Sequence, residues 1–131
     1  MDNLKFHHIG VATNNLDKEL KHFAKLGYAP VSDVFTDNIQ KIRGLFIAAD
    51  GQPCLELLEN VDDSGPLTSV LSQGIKFYHF AYETNDIDAT AADMVANGAT
   101  IIVPITPATY FEKICFMMMR NKMIVELVHP K

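Results

Sequence analysis

The stretch that decides the fold is KFHHIGVATNN at residues 5–15, because the chain repeats it as KFYHFAYETND at residues 76–86. Each copy contains a histidine at the same place, His8 in the first and His79 in the second (79 − 8 = 71). An internal repeat is the first feature to interpret in a sequence, and two copies are too few for a solenoid. The pattern therefore predicts a duplicated module that pairs with itself.

The repeat continues to the end of each half of the chain. CLELLE at residues 54–59 resembles IVELVH at residues 124–129, so that Glu56 corresponds to Glu126 (126 − 56 = 70). Both glutamates lie inside apolar strand-like runs, where a buried carboxylate is costly unless another group compensates its charge. The duplicated module thus predicts one histidine and one buried glutamate in each half.

Length and composition limit the class of protein. The 131 residues, 48% of them hydrophobic, are enough for a single domain with a real core, and we expect one domain over residues 1–131. The net charge of −5 argues against nucleic acid and anionic membrane partners. The N-terminal MDNLKF has no apolar signal core, and no apolar run spans a membrane. We therefore expect a cytoplasmic protein whose Cys54 and Cys115 are free thiols.

Hydrophobic periodicity predicts a βαβββ order for each module, the first over about residues 4–60 and the second over about 75–129. In each module a capped helix ends at a glycine, Gly27 or Gly98. The remaining predicted strands lie at 28–36, 39–49 and 52–59 in the first module and at 99–104, 111–119 and 122–129 in the second. The fold class is α+β, with a curved eight-stranded sheet around a metal cleft and a short helix near 66–73.

The metal prediction follows from strand alternation. His8 shares a strand face with Phe6 and Gly10, opposite to the apolar face that would pack on the helix. If the modules pair about a pseudo-twofold axis, two imidazoles and two carboxylates converge, and this mixed N/O set suits a divalent transition metal such as Zn, Ni, Co, Mn or Fe. The predicted ligands are His8, Glu56, His79 and Glu126. Each of these residues considered alone is more often an ordinary core or surface residue than a metal ligand. His7 is the alternative to His8 as a ligand.

Taken together, the motifs HHIGVA with NLD, CLELLE, YHFAYETNDID and IVELV resemble the vicinal oxygen chelate superfamily. That superfamily includes glyoxalase I, methylmalonyl-CoA epimerase, extradiol dioxygenases and bleomycin resistance proteins, and the resemblance covers essentially the whole chain. The order His, Glu, His, Glu is similar to bacterial glyoxalase I, whereas the longer segments look closer to the epimerases. One departure is the turn MMMRNKM at residues 117–123, where these relatives usually carry a glycine.

The resemblance implies a metal-dependent isomerase or lyase acting on a thioester or hemithioacetal, with Glu56 or Glu126 as the base. It also implies substrate contacts, for which Arg43 is a candidate together with Met117 and Met119, or alternatively Met118. A ring-cleaving dioxygenase and a drug-binding resistance protein of the same fold are the alternatives. We expect a homodimer, and the sequence leaves open whether the metal site is formed within one chain or shared across the dimer.

Overall fold

The computed structural model describes residues 4–131, which form nine strands and three helices. Residues 1–3, part of the N-terminal stretch in which we expected no signal sequence, lie outside the described residues. Within residues 4–131 the longest helix has ten residues, and none has the length and apolar character needed to cross a membrane.

The chain divides into two compact units, which correspond closely to the two predicted modules. We call residues 8–78 the first unit, and residues 79–131 together with 4–7 the second unit. The elements from the first copy of the repeat are β1 (Lys5–Ala12), α1 (Leu16–Ala24), β2 (Ala29–Pro30), β3 (Phe35–Asp37), β4 (Ile42–Ala48), β5 (Leu55–Asn60) and α2 (Thr68–Ser72). Those from the second are β6 (Phe77–Glu83), α3 (Ile87–Ala96), β7 (Thr100–Pro107), β8 (Lys113–Met118) and β9 (Ile124–His129).

The two copies have the same strand topology. The order is β2-β4-β5-β1 in the first copy, with β3 also paired to β4, and β6-β9-β8-β7 in the second. In each copy the first strand runs parallel to the last, β1 beside β5 and β6 beside β9, and the other pairs are antiparallel. The first and last strands of a module are therefore neighbours, which brings the histidine strand next to the glutamate strand.

The α+β fold class is confirmed, although residues 4–131 contain nine strands rather than the eight predicted. The additional strand arises because the predicted strand at 28–36 is divided into β2 and β3. Pro30 has no N–H to donate, and the hydroxyl of Ser32 accepts the hydrogen bond of the Phe46 N–H at 2.9 Å. A side chain thus takes the place of a ladder bond and interrupts the strand.

The ends of the two long helices follow the predicted signals. Asn15 begins α1 and Asp86 begins α3, because each side chain accepts a hydrogen bond from the N–H three residues further along. Gly27 and Gly98 follow the helices with φ angles of 96° and 105°, in the left-handed region that residues with a Cβ avoid.

The helices cover one face of each copy. In the first unit, Val11 of β1 and Leu57 of β5 pack in a buried cluster with Leu16 of α1, as the alternation predicted. In the second unit, Cys115 and Leu127 pack with residues of α3. The opposite face of the same strands carries His8 in the first unit and His79 in the second.

Candidate metal centre

The first unit places a histidine beside a glutamate on two parallel strands. Nε2 of His8 lies 3.0 Å from Oε1 of Glu56, and the two residues are 0% and 6% exposed. The register partner of Glu56 on β1 is Gly10, two residues beyond His8 on the same face. The contact is therefore diagonal across the strand pair, and both side chains stay on the face that α1 does not cover.

The second unit contains the same arrangement. Nε2 of His79 lies 3.1 Å from Oε1 of Glu126, and the two residues are 3% and 4% exposed. Here Ala81 is the register partner of Glu126 and corresponds to Gly10 of the first unit. The duplicated sequence thus yields two buried His–Glu pairs with nearly equal distances.

Each histidine ring also packs against a phenylalanine that the sequence analysis did not single out. The ring centroids of His8 and Phe46 are 5.1 Å apart with planes at 83°, and those of His79 and Phe116 are 5.1 Å apart at 87°. The two phenylalanines are 70 residues apart (116 − 46 = 70), the same offset as the glutamates. Extending the repeat to β4 and β8 would have found them.

A second aromatic ring supports the first phenylalanine. Phe35 stacks on Phe46 with centroids 5.9 Å apart and planes at 21°. The Phe35 ring lies over Gly44, where an added Cβ would be 2.4 Å from the Phe35 Cζ atom. Gly44 thus leaves the space that allows Phe35 to support the phenylalanine packed on His8.

Each unit supplies two of the four predicted ligands as one buried pair, His8 with Glu56 and His79 with Glu126. Two ligands in adjacent positions on a metal, with bonds of about 2.1 Å, would be about 3.0 Å apart, which matches both His–Glu distances. Each pair also contains a buried carboxylate, whose negative charge is costly to bury unless a cation compensates it. The donor types, distances and burial therefore fit a divalent ion.

The other histidines lie elsewhere. His7 packs edge-on against Phe111, with centroids 5.1 Å apart. His22 is exposed on α1, and Nδ1 of His129 is 3.6 Å from a carboxylate oxygen of Glu112. Neither His7, His22 nor His129 belongs to either of the two buried His–Glu pairs.

Arg43 lies on the strand face opposite to Phe46, and its contact with a substrate stays a prediction. Its Nε and Nη2 atoms donate to Oε2 of Glu59 at 3.0 and 2.7 Å, and Oε1 of Glu59 accepts from the N–H of Leu16 at 2.7 Å. Along β4, Arg43 alternates with Phe46 and shares the face of Leu45 that α1 covers. The arginine therefore links the β4–β5 pair to the start of α1.

Met117 and Met118 of β8 and Met119, which follows it, have different surroundings, and their contacts with a substrate stay predictions. Met117 is fully buried in the cluster beneath α3, and Met119 is 39% exposed. By alternation Met118 shares the strand face of Phe116, which packs on His79. Of the alternatives left open by the sequence, the structure favours Met118, and its contact with a substrate stays a prediction.

Both cysteines are free thiols, as expected. Burial raises the pKa of the Cys115 thiol. Burial, and secondarily the negative charge of Glu56, raise the pKa of the Cys54 thiol. Each thiol is therefore held in its neutral form more strongly than a solvated cysteine.

Comparisons with known proteins identify the family. The family model of the glyoxalase/bleomycin resistance protein/dioxygenase superfamily matches residues 7–116, and the chain belongs to that superfamily. None of the curated proteins is a significant match by sequence.

Several solved structures share the fold. Methylmalonyl-CoA epimerase from Mycobacterium tuberculosis is 22% identical with a TM-score of 0.83, and the match covers 96% of this chain and 87% of that one. A Streptomyces coelicolor methylmalonyl-CoA epimerase variant in complex with 2-nitronate-propionyl-CoA is 24% identical, covers 96% of each chain and has a TM-score of 0.81. A hypothetical protein from Bacillus halodurans is 20% identical, with coverage of 98% and 95% and a TM-score of 0.85. The predicted superfamily and fold are confirmed.

Proposed function

We propose that this chain is a metal-dependent isomerase or lyase that moves a proton at the carbon beside a carbonyl group. The observation that carries the proposal is the presence of two buried His–Glu pairs, His8 with Glu56 and His79 with Glu126, which together would hold one divalent ion. A divalent ion held by these residues would act as a Lewis acid and make the C–H beside the carbonyl more acidic.

The histidines and the glutamates have different roles in this reaction. His8 and His79 are neutral nitrogen donors whose orientation is fixed by the phenylalanine rings packed on them. Glu56 or Glu126 accepts the proton from carbon and returns it, as a positioned general base and then acid. Epimerisation needs removal of the proton from one face of the carbon and delivery to the other, and two carboxylates are available for these roles.

The substrate class is a thioester or a hemithioacetal. The solved epimerases of the same fold support the thioester, since one of them is in complex with 2-nitronate-propionyl-CoA. The four-residue ligand order supports the hemithioacetal, as in glyoxalase I. We place the thioester first, because several of the solved structures that share the fold are methylmalonyl-CoA epimerases.

The test is exchange of the substrate α-proton with deuterium from solvent, followed by NMR. Methylmalonyl-CoA and the methylglyoxal–glutathione hemithioacetal are the first substrates, with the protein loaded with each candidate metal in turn. We expect exchange that depends on the metal and is lost after chelation. The proposal is rejected if a panel of thioesters and 2-oxoaldehyde adducts shows no exchange while iron-loaded protein consumes oxygen with a catechol. That result would identify a dioxygenase.

The same samples distinguish the proposed enzyme from a binding protein of the same fold. Such a protein would hold its metal and bind a small molecule, but would exchange no proton in any of the panel. The four buried ligands favour the enzyme, because sequestration of a drug does not require a complete set of metal ligands.

A further inference from the structure

The second unit contains a cavity of about 700 Å³ on the sheet face opposite to His79 and Glu126. Along β6, Phe80 and Tyr82 alternate with His79, so their side chains lie on the α3 side of the strand. The apolar wall residues include Phe80, Tyr82, Met94, Met119, Met123 and Val125. The volume lies within the range of about 300–1,000 Å³ that is typical of small-molecule pockets.

The turn between β8 and β9 forms one end of this cavity. The N–H of Met119 donates to the carbonyl of Met123 at 2.9 Å, and Lys122 has a φ angle of 73°. The turn is closed further by Asn121, whose side-chain oxygen accepts from the N–H of Met123 at 3.0 Å. This is the MMMRNKM segment, in which the chain departs from the glycine-bearing turn of the relatives it resembles. Met119 and Met123 are 39% and 41% exposed, and such flexible side chains adapt to apolar ligands.

Arg120 brings a positive charge to the same cavity. Its side chain lies across Gly98, where an added Cβ would be 2.2 Å from the arginine Nε. Among residues 4–131 no carboxylate forms an ion pair with Arg120. Asp93 at the rim is hydrogen-bonded to Asn97, and its charge disfavours ligands with more than one negative charge.

We propose that this cavity binds an apolar molecule with a single carboxylate head, such as the anion of a medium-chain fatty acid. The tail would lie against the aromatic and methionine walls, and the carboxylate would accept hydrogen bonds from Arg120. A concave, largely apolar cavity with one cation fits a small amphiphile better than a protein partner, which buries a broader surface. The site is independent of the metal group and of the proposed reaction.

The test is a titration of the metal-loaded, full-length protein with sodium octanoate, followed by calorimetry and by NMR shifts of the methionine methyl groups. Octanol and octylamine serve as neutral and cationic probes of the same length. We expect saturable binding of one octanoate per chain, weaker binding of octanol and no binding of octylamine. Arg120→Gln should weaken octanoate binding by about tenfold or more, since a charge-assisted hydrogen bond is lost.

Lys122→Gln is the matched control, because it removes a positive charge from the same turn at a residue that does not line the cavity. It should leave octanoate affinity unchanged. The proposal is overturned if octanoate does not saturate, if octylamine binds equally well, or if both variants weaken binding to the same degree. It is also overturned if light scattering shows a dimer that Met123→Asp dissociates while octanoate fails to bind, since a second copy would then occupy the cavity. Measurements of metal content and thermal unfolding show whether each variant is folded.

Discussion

His8 and Glu56 meet diagonally across two parallel strands, with 3.0 Å between Nε2 and Oε1, although the register partner of Glu56 is Gly10. Because Gly10 has no side chain, the imidazole of His8, two residues earlier on β1, can occupy the space beside Glu56. The second unit repeats this relationship with His79, Glu126 and Ala81. The duplication has therefore preserved the register between the first and last strands as well as the types of residue.

Replacing His79 by alanine should remove most of the bound metal, because loss of one ligand weakens the whole chelate. Metal content per chain, measured by mass spectrometry after gel filtration, tests this. His22→Ala is the matched control, since His22 is exposed on α1, and His7→Ala tests the alternative ligand. Both should retain the metal of the original protein. Full metal content in His79→Ala would show that the four-residue group does not hold the ion.

The two glutamates should be separable by their glutamine variants, which keep the size of the side chain and remove its basicity. In the variant of the proton-transferring residue, deuterium exchange should fall by about a hundredfold or more, while some metal is retained. The other variant should lose metal affinity with a smaller effect on exchange at saturating metal. Comparing Glu56→Gln with Glu126→Gln at several metal concentrations therefore assigns the base. Equal behaviour in both assays would argue that the carboxylates share both roles.

Gly44→Ala should destabilise the protein by about 1–3 kcal/mol and lower metal affinity, because the new methyl group displaces Phe35. Phe35 supports Phe46, which packs on His8. Combining Gly44→Ala with Phe35→Leu removes the clash, so the double variant should be more stable than the sum of the single effects predicts. Urea unfolding of all four proteins measures the coupling. Strict additivity would mean that the Phe35 ring does not transmit the effect.

Cys115 should react slowly with iodoacetamide in the folded protein, because the thiol is fully buried and burial raises its pKa. The thiolate is the reactive form, so the rate should still be rising with pH where a free cysteine, with a pKa of about 8.5, has levelled off. Since the folded state favours the neutral thiol, the associated stability is present below about pH 8.5 and is lost as the pH rises through the raised pKa. Mass spectrometry of each cysteine peptide, native against urea-unfolded, gives the rates. Equal native and unfolded rates for Cys115 would contradict the prediction.

The homodimer stays a prediction that rests on the edges of the sheet. Strand β7 pairs only with β8 among the described strands, and its Ile101 and Ile102 are each 46% exposed. Edge strands with exposed apolar residues favour pairing with another chain. Light scattering should give twice the 14.6 kDa mass of the chain at micromolar concentration. A strict monomer would exclude the dimer and leave the fold unaffected.

The sequence by itself determined the features that depend on local spacing. The alternation of side chains along a strand and the capping residues of a helix are short-range properties. For this reason β1, α1 and α3 could be predicted from the amino-acid sequence. Repetition of KFHHIGVATNN also identified His8 and His79, because a residue preserved in both copies is tied to the same position of the fold.

Only the tertiary structure decided the features that depend on contacts between distant parts of the chain. The register of β4 on β5 turns Arg43 towards Glu59 and places Phe46 beside Glu56, and no local pattern specifies this register. A hydrogen bond between Ser32 and Phe46 divides one predicted strand into two. The register of β8 on β9 determines which strand face each methionine occupies. It buries Met117 and leaves Met118 on the face of Phe116. Strand faces are fixed by alternation, but which face points to the buried group is fixed by packing over long sequence separations.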